Sequence, residues 1–117
     1  MNNDTLQKWL AAGAVAPGML GCGVLLPDRT CLSHSFDETC PRKQLDGMLH
    51  QLAETMALFA SNGLVPRRLT WMFERGTVLL VVRPDGLLLG LATQFNTEAA
   101  QNVDRLAADF LKLDLSH

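Results

Sequence analysis

The sequence predicts an α+β fold, a five-stranded antiparallel sheet between helices, in the order α-β-β-α-β-β-β-α. Three observations carry this. Apolar residues recur at three- and four-residue steps from Leu45 to Ala60 and again from Ala99 to Leu111, which is helical spacing. Short runs rich in Val, Leu, Phe and Trp are cut by Pro-Asp, Arg-Gly and Asp-Gly pairs, which is the punctuation of strands and turns. With 48% apolar and 19% charged residues among 117, the chain has enough hydrophobic side chains for one core, and 1–117 reads as a single domain.

Asp4, with Gln7 three residues on, forms a capping-box pattern before Leu6, Trp9 and Leu10, and Gly13 stops that helix. Gly18 to Leu26 is apolar and too rich in glycine for a stable helix, so it reads as a strand that turns at Pro27-Asp28 or Asp28-Arg29 into a second strand, Thr30 to Phe36. Either turn leaves Cys31 two or four residues from the residue opposite Cys22, beyond the roughly 7 Å Cα limit of a disulfide. Asp37 to Pro41 is a helix entry, with Thr39 or Cys40 as cap and Pro41 in the first turn. The long helix that follows runs to the Asn62-Gly63 stop, and its stripe of Leu45, Met48, Leu49, Leu52, Met56, Leu58 and Phe59 is wider than one sheet face requires.

Pro66 to Ala92 reads as a three-stranded meander turning at Arg75-Gly76 and Asp85-Gly86. Two-residue turns there would set Phe73 opposite Val78, Trp71 opposite Leu80 and Leu69 opposite Val82, then Val82 opposite Leu89 and Leu80 opposite Leu91. Leu79, Val81, Leu88, Gly90 and Ala92 would share the other face, where the small residues admit a closely packed helix. Asn96 or Thr97 caps the last helix, with Ala99, Ala100, Val103, Leu106, Ala107, Phe110 and Leu111 on its apolar side.

A net charge of −2 and a pI near 5.8 give no field that draws nucleic acid or anionic lipid, so neither nucleic-acid binding nor membrane insertion is expected. The polar Met1 to Asp4 start lacks a secretory pattern, and a cytoplasmic location is the expectation. Cys22, Cys31 and Cys40 are spaced as neither a zinc framework nor a disulfide scaffold and read as free thiols. The sequence contains no phosphate-binding glycine loop, no nucleophile elbow and no His-Glu-x-x-His motif. Cys31 and His34 have opposite strand parity and point to different faces, and His50 and Glu54, one helical turn apart, read as a solvent pair or as a contact across a dimer rather than as metal ligands. No catalytic, cofactor or metal site is expected. Cys40 at a helix start would gain reactivity from the dipole, which Asp37 and Glu38 oppose. Arg67, Arg68, Arg75 and Arg83 gather on the outer strands and their ends, either as protection of a sheet edge or as a docking patch for an acidic partner.

Pro17-Gly18-Met19-Leu20-Gly21-Cys22-Gly23-Val24-Leu25-Leu26, the helix of residues 42–62, the Arg83-Pro84-Asp85-Gly86 hairpin and the Asn96-led last helix together resemble the roadblock/dynein light-chain superfamily. The resemblance spans about residues 15–113. Where that family turns its first hairpin with Asp-Gly, this chain has Asp28-Arg29-Thr30, which calls for a different turn conformation. The resemblance implies a non-catalytic homodimer in which the long helices pack together and the third strands pair edge to edge. The residues it would bring to that interface are Leu45, Met48, Leu49, Leu52, Met56, Phe59, Thr70 and Met72, while Arg67, Arg68 and Arg75, from the charge clustering itself, are the candidates for contact with a partner. It further implies a regulator or adaptor for a Ras-like small GTPase or a larger assembly. The over-wide stripe and the need to cover the third strand support the dimer independently. The alternative class is a profilin- or PAS-like small-ligand sensor, which would show a polar-lined internal cavity.

Overall fold

The computed structural model of the chain describes residues 3–12, 16–74, 76–95 and 97–115. Its elements are α1 (Asn3–Ala12), β1 (Met19–Leu25), β2 (Cys31–Ser35), α2 (Arg42–Ser61), β3 (Arg68–Phe73), β4 (Gly76–Val82), β5 (Leu88–Thr93) and α3 (Thr97–Lys112). The strands form one antiparallel sheet in the order β2-β1-β5-β4-β3. Strand parity divides the core into two layers. Cys22, Val24, Leu79, Val81, Leu89 and Leu91 pack under α1 and α3, while Val78, Leu80 and Ala92 pack under α2. Among the described residues no helix is long and apolar enough to cross a membrane.

The expected element order holds, but the β1–β2 and β4–β5 hairpins turn through three residues rather than two. Arg29 N–H donates to Leu26 O at 2.9 Å and Leu26 N–H to Thr30 O at 2.8 Å. Gly86 N–H to Arg83 O at 3.0 Å and Arg83 N–H to Leu87 O at 2.9 Å repeat the pattern. This is a type I turn whose third loop residue takes positive φ, and that residue is Arg29 at 72° in one hairpin and Gly86 at 92° in the other. Arg29 thus accepts the left-handed conformation itself, and the first turn does not change type to suit it.

The added loop residue shifts each register by one. Cys22 lies opposite His34, three residues from Cys31, and both thiols are free. On β4 and β5, Val82 lies opposite Leu88 and Leu80 opposite Gly90. Leu89 and Leu91 therefore face α1 and α3, the reverse of the two-residue expectation, because an odd shift moves every side chain of a strand to the other face. The β3–β4 turn falls one residue earlier than expected, with Phe73 opposite Gly76 and Trp71 opposite Val78. That shift is even, so Leu69 and Trp71 keep their inward face.

Gly90 and Gly23 explain how α2 comes close to the sheet. A Cβ at Gly23 would lie 2.6 Å from Leu49 Cδ1, and one at Gly90 would run into Leu49 Cδ2. The helix has no side-chain cap. Pro41 is the N-cap residue in extended conformation, and Thr39 instead closes an Asx turn, its N–H and hydroxyl donating to Asp37 at 2.9 and 2.7 Å. Asp4 lies within the first turn of α1 rather than capping it. The expected stop at Gly13 and cap at Asn96 lie outside the described residues.

Candidate interaction surface

The helices sit off-centre on the sheet. α2 packs over β1 and β2, α3 over β5 and α1 over β2, which leaves β3 at the margin of both helix layers. Leu69 and Trp71 are half-buried, while Arg68, Thr70, Met72 and Phe73 are exposed, Met72 at 77%. Val82 N–H donates to Arg67 O at 2.9 Å, which sets the hydrogen-bonding phase of the β3–β4 ladder. Backbone groups of Leu69, Trp71 and Phe73 consequently turn toward β4, and those of Arg68, Thr70 and Met72 turn to the open edge. An apolar edge with unpaired backbone groups is a template for another strand.

The α2 stripe divides into two parts. Leu45, Leu49, Leu52 and Met56 are buried against the sheet of their own chain. Met48 is half-buried, and Phe59 and Leu58 are exposed. Of the residues expected at a dimer contact, Met48, Phe59, Thr70 and Met72 remain accessible. Between α2 and the uncovered half of the sheet runs an open groove of about 600 Å³, walled by Met48, Leu52, Trp71, Phe73 and Val78. Phe73, at the end of β3 opposite Gly76, is exposed and lines this groove.

The arginines serve different purposes. Arg83 is not a surface cation: its Nη1 donates to the carbonyl oxygens of Phe110 at 2.7 Å and Leu113 at 2.9 Å, its Nη2 pairs with Asp85 at 3.0 Å, and its guanidinium lies over the Phe110 ring. It thereby satisfies carbonyls at the end of α3. Arg68 reaches across to Asp104 of α3 in an exposed ion pair. Arg67 is exposed, and Arg75 lies outside the described residues.

Among the described residues, the three thiols, His34 and His50 do not assemble a reaction centre. Cys31 donates to Asp46 Oδ1 at 3.3 Å on the α2 side, while His34 faces the opposite layer and stacks on Phe36. Burial pushes Cys22 up to about 12, and burial with the adjacent Asp46 carboxylate pushes Cys31 to about 12. Cys40 is also raised, by burial and then by Asp37. These shifts disfavour the nucleophilic thiolate. His50 and Glu54 do not pair with each other. His50 Nδ1 lies 2.8 Å from Asp46 O and Nε2 3.2 Å from Arg29 O, while Glu54 approaches the Arg29 guanidinium at 3.9 Å. Trp9, which could have anchored a partner, packs against Phe110 of its own chain.

An off-centre sheet of this strand order, with one long helix on one face and the terminal helices on the other, is the roadblock/LC7 superfamily fold. Among solved structures the chain is similar to MglB of Myxococcus xanthus, with a TM-score of 0.68 at 6% identity over 97% of this chain and 94% of that one. It is similar to the gliding protein MglB of Thermus thermophilus, with a TM-score of 0.68 at 12% identity over 93% and 87%. A roadblock/LC7 domain from Streptomyces avermitilis matches with a TM-score of 0.61 at 16% identity over 89% and 96%. No protein-family model matches the sequence, and no curated protein matches it.

Proposed function

We propose that this chain is a single-domain, non-catalytic regulator or adaptor that works as a homodimer and presents a surface to a second protein, a Ras-like small GTPase being the partner class. The observation that carries the reading is β3: exposed on one face, only half-buried at Leu69 and Trp71 on the other, and with the backbone groups of Arg68, Thr70 and Met72 on an open edge. Pairing two such strands around a twofold axis would satisfy those groups and extend the sheet across two subunits. Met48, Phe59 and Trp71 flank the same edge and would be covered by the mate. The likeness to a gliding protein of the same fold supports a regulatory over an enzymatic role. So do the raised thiols and the separation of Cys31 from His34.

Purified protein titrated calorimetrically with Ras-like GTPases from the same genome, each loaded with GDP or a non-hydrolysable GTP analogue, tests the partner. Binding that depends on the nucleotide bears the reading out. A dimer that binds none of them turns it toward an adaptor on a larger assembly, and a monomer that binds none contradicts it.

A further inference from the structure

The α2 face of β3 carries two apolar features that stay open to solvent. Phe73, at the end of the strand, is 48% exposed. At the start of the strand an open pocket of about 400 Å³ is walled by Phe59, Leu64, Pro66 and Leu69, with Leu64 59% exposed. The pocket exists because α2 stops at Asn62, Gly63 turns the chain with φ of 80°, and the return to β3 runs through exposed Leu64 and Val65. Leu69 and Phe73 are four residues apart and so share one face of the strand. Covering either feature removes apolar surface from water.

Backbone groups of Leu69, Trp71 and Phe73 turn toward β4, so across the free edge these residues would form the non-hydrogen-bonded pairs, whose opposed Cβ atoms come within about 4.5–5.5 Å. A twofold antiparallel pairing of β3 with itself keeps that parity only in registers two residues apart. With Trp71 on the axis, Leu69 lies opposite the partner's Phe73 and Thr70 opposite the partner's Met72. With Thr70 on the axis, the partner's Phe73 falls on the exposed Arg67 instead. With Met72 there, it falls on Trp71, and Leu69 is left facing the partner's turn. The Trp71 register alone sets Phe73 against a wall of the pocket. It also brings Arg68 beside the partner's Glu74, exposed one residue beyond β3. Arg68 keeps Asp104 as well, since a guanidinium has donors for two carboxylates. A plug and a socket on one strand, matched by a twofold axis, select a second copy of this chain as the occupant.

We infer that two copies of β3 pair in the register centred on Trp71, and that Phe73 of each subunit fills the pocket of Phe59, Leu64, Pro66 and Leu69 on the other. This rests on reading the chain as a homodimer and names the contact that fixes its register. Sedimentation of the full chain over a concentration series gives the dimer affinity. Phe73→Ala, which removes the plug, and Leu64→Glu, which puts a charge in the socket, should each weaken the dimer roughly 100-fold, because the twofold axis counts every loss twice. Both residues are exposed in the single chain, so the circular dichroism of the fold should not change. Register is read by oxidative cross-linking of single cysteines in a Cys40→Ser background. Trp71→Cys should link two chains through the axis, and Thr70→Cys should not. A native dimer whose affinity neither variant lowers, or one that cross-links at Thr70→Cys and not at Trp71→Cys, would overturn the inference and leave the dimer standing. A native chain that sediments as a monomer would overturn the homodimer reading and the inference with it.

Discussion

Arg83 holds the end of α3 by two means at once, donating from Nη1 to Phe110 O at 2.7 Å while its guanidinium sits 5.2 Å from the centre of the Phe110 ring. Its side chain is only 11% exposed, so truncation strands buried acceptors as well as removing bonds. Charge-assisted bonds of this kind contribute about 1.5–3 kcal/mol. Arg83→Ala should therefore lower stability by about 2–4 kcal/mol in urea unfolding. Arg67→Ala, at an exposed neighbour, should stay within about 0.5 kcal/mol of the native chain. Equal effects would mean that Arg83 is the surface cation its sequence position suggests.

Arg29 and Gly86 occupy the same position in two turns of one kind, yet only glycine takes positive φ without a steric cost. Arg29→Gly should raise stability by about 0.5–1 kcal/mol, since its ion pair with Glu54 at 3.9 Å is exposed and weak. Thermal unfolding monitored by circular dichroism checks the sign.

The sheet glycines differ in what stands over them. A methyl at Gly76 would collide with the backbone oxygen of Thr93, which cannot swing aside, whereas at Gly90 it meets the end of the Leu49 side chain, which can. Gly76→Ala should cost about 1–3 kcal/mol and Gly90→Ala less. The reverse ranking in denaturant melts would contradict the close β4–β5 approach at Thr93.

Thiol reactivity follows from burial. Because Cys22 and Cys31 are pushed up to about 12 and Cys40 is raised as well, the thiolate fraction at pH 8 is smaller in the folded chain than in an unfolded one. Iodoacetamide should label all three more slowly in the native protein than in urea, and the native rate should climb with pH. Faster labelling of Cys40 in the native state would indicate an activated thiol and reopen a redox role.

The sequence carries the element order because helical and strand periodicities are local properties, and it carries the cover-seeking character of β3 because Thr70 and Met72 alternate with Leu69 and Trp71. It does not carry register. Pro84-Asp85-Gly86 is a three-residue loop whose extra residue is set by hydrogen bonding across the turn, and that one residue exchanges the faces of Leu89 and Gly90. Nor could helix rotation be read from a broad stripe: Leu45 and Met56 turn to their own sheet while Leu58 turns outward. Arg83 looks like its neighbours in sequence because its acceptors lie 27 and 30 residues away. The exposed apolar corner at Leu64 and Val65, which sequence reasoning passes over, has a signal in the two hydrophobic residues stranded in a loop before Pro66.

Self-association through the open edge of β3 is the central claim, and Thr70→Pro isolates it. The Thr70 N–H points to the free edge, so proline there removes a donor to a mate and none to β4. Sedimentation equilibrium of both chains at micromolar concentration is the direct measurement. The native protein should sediment at twice the 12.8 kDa chain mass and a folded Thr70→Pro variant at the single-chain mass. A native protein at 12.8 kDa, or a Thr70→Pro variant that remains a dimer, would contradict it.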